Sequence, residues 1–189
     1  MTKQLSRRNF IRIAGCAATG AVAFTFLRPQ PVFARVLPPG AVSPEKFQAI
    51  CLRCGKCALV CPRQAIQLSN DGLPYVDGLL NYCDFCMRCA EVCPSGALIR
   101  INPKIAKLGE AVIDRDRCIA WQWHGCRLCA EACAKLQQAI WLDNDLRPHV
   151  DIYRCNGCGA CVYVCPQSAR EGSSKQESRA VSLRRSNAE

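Results

Sequence analysis

Apolar positions in this chain come in short runs, not in long helical or strand periods. Residues 13–27 form a mildly apolar run rich in alanine, glycine and threonine. Its 15 residues are too few to span a bilayer comfortably. Beyond it, one small pattern is written three times. Ala65-Ile66-Gln67-Leu68 reads as a strand, Asn70-Asp71-Gly72 as a turn, and Pro74-Tyr75-Val76-Asp77 as the return strand. Ala97-Leu98-Ile99-Arg100-Ile101 is followed by Gly109 and Ala111-Val112-Ile113-Asp114. Ala139-Ile140-Trp141-Leu142 is followed by Asp143-Asn144-Asp145 and His149-Val150-Asp151-Ile152. Three small hairpins are predicted. Residues 45–50 suit a short helical turn. Residues 35–50 read as a linker, stiffened by Pro38-Pro39-Gly40 and without regular structure before that turn. Residues 171–189 are rich in Ser, Arg and Glu, lack apolar periodicity, and read as a disordered tail.

Cysteine fills the spaces between these hairpins. Sixteen of the 17 cysteines lie between positions 51 and 165, in four sets of four. Cys51, Cys54, Cys57 and Cys61 precede Pro62; Cys83, Cys86, Cys89 and Cys93 precede Pro94; Cys155, Cys158, Cys161 and Cys165 precede Pro166. Each reads C-x2-C-x2-C-x3-C-P, the spacing of a bacterial ferredoxin. Three thiolates spaced in this way wrap one [4Fe–4S] cube, and the fourth points away to ligate another. The proline biases the residue before it away from helical dihedrals. Zinc motifs set two C-x2-C pairs a dozen or more residues apart, which fits poorly. An exported protein invites a disulfide framework, but cysteines three residues apart, repeated throughout, cannot all reach disulfide geometry locally. The cofactor reading is therefore four [4Fe–4S] clusters with iron held by all sixteen cysteines.

The third set is stretched: Cys118 is followed by seven residues, then Cys126, Cys129 and Cys133. Ala134 stands where proline is expected. A longer loop still lets Cys118 reach an iron. His124 reads as a loop residue, because sixteen cysteines already fill sixteen corners. Trp121 and Trp123 read as shields of the cluster from water, with contact to a partner as the alternative. The interval from the last cysteine of one set to the first of the next is 22, 25 and 22 residues, an internal repeat. Four copies make two modules. Either neighbouring sets pair, or the middle sets pair and the outer sets pair; spacing permits both.

Composition and charge adjust this picture in two ways. Aromatics make up 7% of 189 residues, and cysteine inflates the apolar count, so the core is thin. Clusters then supply much of the folding energy, and the metal-free chain is expected to be unfolded. The formal charge of +10 suggests nucleic acid as a partner. Five of the 25 basic residues, Lys3, Arg7, Arg8, Arg12 and Arg28, lie in the first 34 positions, which contain no acid. The remaining 20 against 15 acidic residues leave +5. Four oxidised cubes with their thiolates, at about −2 each, bring the loaded protein to about −3. The basic charge is a counterweight to the clusters, and no nucleic-acid partner is expected.

Residues 1–34 read as a twin-arginine signal. Ser6-Arg7-Arg8-Asn9-Phe10-Ile11-Arg12 fits S-R-R-x-F-[LI]-[KR], and Val32-Phe33-Ala34 offers cleavage after Ala34. That route exports folded, cofactor-loaded proteins to the periplasm, so its machinery is an expected partner. An uncleaved signal would tether the protein to the membrane. Cys16 stands too close behind Arg12 for a lipid attachment site and reads as a small apolar residue of the signal.

Together Arg7-Arg8, Leu37-Pro38-Pro39-Gly40-Ala41, Cys51-Leu52-Arg53-Cys54-Gly55 and the four sets with the stretched third resemble the twin-arginine-exported, ferredoxin-type proteins of the NapG/MauM family. The resemblance implies passage of electrons from a membrane quinol-oxidising ferredoxin-type partner towards a periplasmic cytochrome or reductase, nitrate reductase for the NapG branch. The MauM branch implies methylamine utilisation instead. The resemblance also implies pairing of outer with outer and middle with middle sets. Cys51, Cys54 and Cys57 would share a cluster with Cys165, and Cys155, Cys158 and Cys161 with Cys61. Cys83, Cys86 and Cys89 would join Cys133, and Cys118, Cys126 and Cys129 would join Cys93.

The expected fold is α+β: two bacterial-ferredoxin-like 2[4Fe–4S] modules over residues 51–170, with little regular secondary structure. No catalytic residue is assigned. His124 and His149 lack a nucleophile-and-base setting, and no phosphate-binding glycine loop occurs. The expected function is electron transfer without a substrate site. Service to another exported oxidoreductase, or an accessory role in metalloenzyme maturation, are the alternatives.

Overall fold

The computed structural model describes residues 35–123, 125–167 and 179–185. The expected export signal, Cys16 and His124 lie outside these residues. Among those described, no helix is long and apolar enough to cross a membrane.

Two similar halves follow each other along the chain. In the first, helix α1 (Pro44–Ile50) carries the fully buried Phe47 and leads into the first cysteine set. A single turn, α2 (Lys56–Leu59), bears Cys57. Strands β1 (Ile66–Leu68) and β2 (Pro74–Val76) form an antiparallel hairpin, and a second turn, α3 (Arg88–Glu91), bears Cys89. In the second half, β3 (Glu110–Ile113) leads into α4 (Ile119–Gln122) and α5 (Leu128–Ala134). Strands β4 (Ile140–Leu142) and β5 (Pro148–Val150) repeat the hairpin, α6 (Ala160–Tyr163) bears Cys161, and β6 (Val181–Arg184) closes the half. The fold is small, mixed helix and strand, and sparing in regular structure.

The two hairpins match position by position. Gln67 faces Tyr75 in one and Trp141 faces His149 in the other; Leu68↔Pro74 and Leu142↔Pro148 close them. Proline opens each return strand, where its missing N–H costs least. Side chains fasten the turns. Ser69 Oγ accepts from the Leu73 N–H and donates to Leu73 O, and Asp143 Oδ1 accepts from the N–H groups of Asp145 and Arg147.

Three expectations are corrected. Residues 36–40 are not a free linker: Val36 and Leu37 are buried, Val36 bridges Val76, and Ala41 bridges Leu98. Leucine and valine beside the rigid Pro-Pro pair give this segment apolar surface that the first core takes up. The hairpin expected between residues 97–101 and 111–114 does not form. Leu98 pairs with residues before the first set, and β3 pairs with β6 from the supposed tail, in register Ala111↔Leu183 and Ile113↔Val181. The disordered-tail assignment therefore fails for residues 179–185. Ala180 and Val181 are buried, and four residues are too short for a periodicity to stand out in a polar tail. Each half is closed by the same device: a segment before its first cysteine pairs with one after its last. Gly40 and Gly109 permit it, because a Cβ on either would lie 2.0 Å from Ile99 O or 2.2 Å from Arg184 O.

The core is as thin as the composition implies. Among the described residues its largest fully buried apolar side chains are Phe47, Met87, Val36, Val76 and Val162. Much of the remainder is alanine and cysteine.

Candidate iron–sulfur sites

The C-x2-C-x2-C loops fold back on themselves through left-handed residues placed between the cysteines. These are Arg53 and Gly55 in the first set, Phe85 and Met87 in the second, and Gly157 and Gly159 in the fourth. Glycine adopts this conformation freely; Arg53, Phe85 and Met87 each carry about 1 kcal/mol of backbone cost. The single helical turn that follows presents the third cysteine. Before a Cys-Pro the turn stops short of the fourth cysteine. In the third set, where Ala134 replaces proline, α5 runs through Cys133.

These loops gather the thiols three plus one. Cys51, Cys54 and Cys57 line a cavity of about 350 Å³ with Cys93. Cys155, Cys158 and Cys161 line one of about 310 Å³ with Cys133. Cys118, Cys126 and Cys129 line one of about 320 Å³ with Cys165. Near-equal size and the same three-plus-one composition identify one device built repeatedly. In the second set the Cys61 thiol lies close enough to Cys83, Cys86 and Cys89 for its charge to act on all three. Neighbouring sets therefore pair, first with second and third with fourth. The outer-with-outer arrangement implied by resemblance is corrected: hairpins of only a few residues per strand return each chain segment to its sequence neighbour.

The cavities suit a polynuclear cluster. The sixteen cysteines are free thiols, and among the described residues no three His, Cys, Asp or Glu side chains converge on one point as a single ion requires. The lining is apolar, and backbone N–H groups aim at sulfur: Phe85 at Cys83 Sγ, Leu98 at Cys93 Sγ and Ala111 at Cys155 Sγ, each at 3.4 Å, and Ala139 at Cys133 Sγ, 3.2 Å. Such bonds stabilise thiolate and tune cluster potential. The Pro39 carbonyl sits 3.9 Å from Cys89 Sγ, so the segment read as a linker roofs the second site.

Burial pushes the Cys57 thiol up to about 11, and those of Cys83, Cys89 and Cys129 up to about 12. Burial likewise raises Cys86, Cys158 and Cys161. Neighbouring cysteines add to the effect. Cys93 departs from the pattern: burial acts to raise it, but bonds from Leu98 and Ser95 outweigh that and leave it below the ordinary thiol. Thiols held protonated in apolar cavities are stable as thiolates only once a metal replaces the proton.

The stretched third set still brings Cys118 to its cavity. The insertion forms α4, whose one turn returns the chain to Gly125 and Cys126. Trp121 is half-buried: its Nε1 donates to Pro148 O at 3.4 Å, and the Arg115 guanidinium lies 4.3 Å from its ring centre. Trp123 is 82% exposed and shields nothing, because it stands where the helical turn ends and the chain swings outward. His149 lines none of these three thiol cavities; it stacks on Trp141 and hydrogen-bonds Asp143 Oδ2 at 2.9 Å. Sequence reasoning missed Arg179, whose guanidinium binds the carbonyls at the end of α6, and the closing role of β6. A lone Arg-Ala-Val in a polar stretch carried no signal of either.

Comparison with known proteins finds 4Fe-4S domains in both halves. Residues 50–97 match the 4Fe-4S dicluster domain, a span that holds the first two sets together, and residues 146–167 match the 4Fe-4S binding domain. The chain is similar to ferredoxin-type protein NapG of Escherichia coli, 35% identical over 84% of this chain and 78% of that one. It is similar to methylamine utilization ferredoxin-type protein MauM of Methylobacillus flagellatus, 32% identical over 87% and 77%. Ferredoxin-type protein NapF of Escherichia coli is 31% identical over 71% and 82%. With cysteine loops built for iron–sulfur electron transfer and likeness running through most of both chains, the protein belongs to the NapG/MauM family of ferredoxin-type proteins.

Proposed function

We propose that the protein is a periplasmic relay with four [4Fe–4S] clusters, taking electrons from a membrane quinol-oxidising ferredoxin-type partner towards a periplasmic reductase, nitrate reductase first among the candidates. The observation that carries it is the repeated three-plus-one gathering of sixteen thiols within about 115 residues of chain. Each cluster, when bound, takes up and releases one electron. The chain's own residues hold it, exclude water with an apolar wall and supply N–H donors to sulfur. The family likeness supports a carrier without a substrate site of its own. The Arg7-Arg8 pattern supports twin-arginine export, which suits loops that must be loaded before crossing the membrane.

Anaerobic purification from the periplasm, an iron count and an electron paramagnetic resonance (EPR) titration test the reading. About sixteen irons per chain with several reducible S = 1/2 signals are expected. About four zinc ions and no signal would overturn it. The likeness to MauM supports a second reading in which the same relay serves methylamine utilisation. A deletion strain that loses periplasmic nitrate reduction supports the first; one that loses only growth on methylamine supports the second.

A further inference from the structure

We propose that electrons cross between the two halves at the contact of Cys83 with Cys158, so that the sites act in the order first, second, fourth, third set. This inference rests on the four-cluster reading above. The Cys83 N–H donates to the Cys158 carbonyl at 2.8 Å. Cys83 belongs to the second site and Cys158 lines the fourth. A ligand of one site is thus hydrogen-bonded through the main chain to a ligand of the other. Tunnelling falls exponentially with distance, so a path of a few covalent bonds and one short hydrogen bond outcompetes wider gaps.

Three further observations bring the halves together here. A Cβ on Gly78 would lie 2.8 Å from Gly159 O, and one on Gly159 would lie 3.0 Å from Gly78 Cα, so the two backbones touch with no side chain between. Tyr82 and Tyr163 face each other across the same seam, ring centroids 6.1 Å apart. Cys158 packs against the first half's core, and Leu79 against the second's. Asn156 fixes the accepting loop: its Oδ1 accepts from the Cys158 N–H at 3.1 Å, and its carbonyl accepts from Leu108 N–H at 2.8 Å. Within each half the helical turns bearing the third cysteines pack together, Cys57 close to Cys89 and Cys129 close to Cys161. The first and third sites are left as the two ends. With clusters bound, Cys83 would hold the one that gives up an electron and is oxidised, and Cys158 the one that receives it and is reduced. No covalent bond changes and no proton moves.

The test uses the full, cluster-loaded chain, mixed with less reductant than its clusters can take up and followed by freeze-quench EPR. In the unaltered chain electrons are expected to spread over both halves as one pool. Gly78→Leu wedges the seam and is expected to keep its iron while exchange between halves becomes on the order of tenfold slower. Gly78→Ala is expected to fall between, and Gly96→Ala, also left-handed but with open space around its Cβ, to behave as the unaltered chain. Gly78 variants that hold full iron and exchange at the unaltered rate overturn the proposal. Should neither load, the fully reduced unaltered chain decides: magnetic broadening between clusters of different halves supports the crossing, and its absence overturns it. An iron count near eight would instead sink the four-cluster reading.

Discussion

The Nη1 of Arg179 donates to the carbonyl oxygen of Cys165 at 2.9 Å, and the same nitrogen reaches the carbonyls of Val162 and Tyr163. These carbonyls lie at and just past the end of α6, where a helix runs short of intrahelical donors; Val162 O also accepts from Cys165 N–H at 3.2 Å. Cys165 is the remote member of the third site, so a residue beyond the last set holds that site's most distant ligand in place.

Arg179→Ala is therefore expected to cost about 2 kcal/mol, the scale of a charged hydrogen-bond set lost at a half-buried position. The loss should fall on the second half. Iron and EPR intensity from the third site should drop first, with the first and second sites intact. Equal loss from both halves would count against this placement. Arg179→Lys, which can bond only some of these carbonyls, should fall between.

Pairing of neighbouring sets makes a sharp prediction for Cys165→Ala. The third-site signal should be lost or converted to a three-iron form, with the first-site signal unchanged. Under outer-with-outer pairing the first site would respond instead. Mössbauer spectra of the loaded variant separate the two outcomes.

Asp77 is a buried carboxylate whose Oδ1 accepts from Gln67 Nε2 at 2.8 Å and from Leu79 N–H at 2.9 Å. Burial raises its pKa above the ordinary 3.8 despite these bonds. A raised folded pKa means that stability is fully present below the unfolded value of 3.8 and declines as pH rises through the folded value. Asp77→Asn can keep the Leu79 bond and removes the buried charge. At pH 7 its melting temperature should equal or exceed that of the unaltered chain, and Asp77→Ala should melt lower. A large fall for Asp77→Asn would show that the charge itself is needed.

Metal removal is expected to unfold the chain. Four thiol sites surrounded by few large apolar side chains leave little else to hold the halves, and cluster binding supplies folding energy. Chelation under mild acid should abolish the circular dichroism of the short helices. A native-like spectrum after iron loss would contradict this.

Much of the site was legible in the sequence because the ligand spacing is local. C-x2-C-x2-C-x3-C-P specifies a loop, a helical turn and a stop within a dozen residues, and the structure builds each of these. The β1–β2 and β4–β5 hairpins were legible for the same reason: turn residues Asn70-Asp71-Gly72 and Asp143-Asn144-Asp145 sit between short apolar runs. What escaped was non-local. Nothing near Val181 announces that it will meet Ile113, sixty-eight positions earlier, and nothing near Val36 names Val76 as its partner. The choice of pairing escaped too, because a fourth cysteine pointing away from its own loop carries no address. The address comes from the hairpin that turns the chain back.

The β3–β6 pair has a consequence for how the protein is made. The first half owns all its cysteines and its closing pair once residue 101 has left the ribosome, since its closing partner lies upstream of its cysteines. The second half does not: its closing strand lies downstream of its last cysteine. Assembly is thus staggered in time, and the second half stays open to cluster insertion until residues 181–184 have emerged. A chain stalled before residue 181 would present eight thiols with no strand to seal them, a recognisable mark of incompleteness.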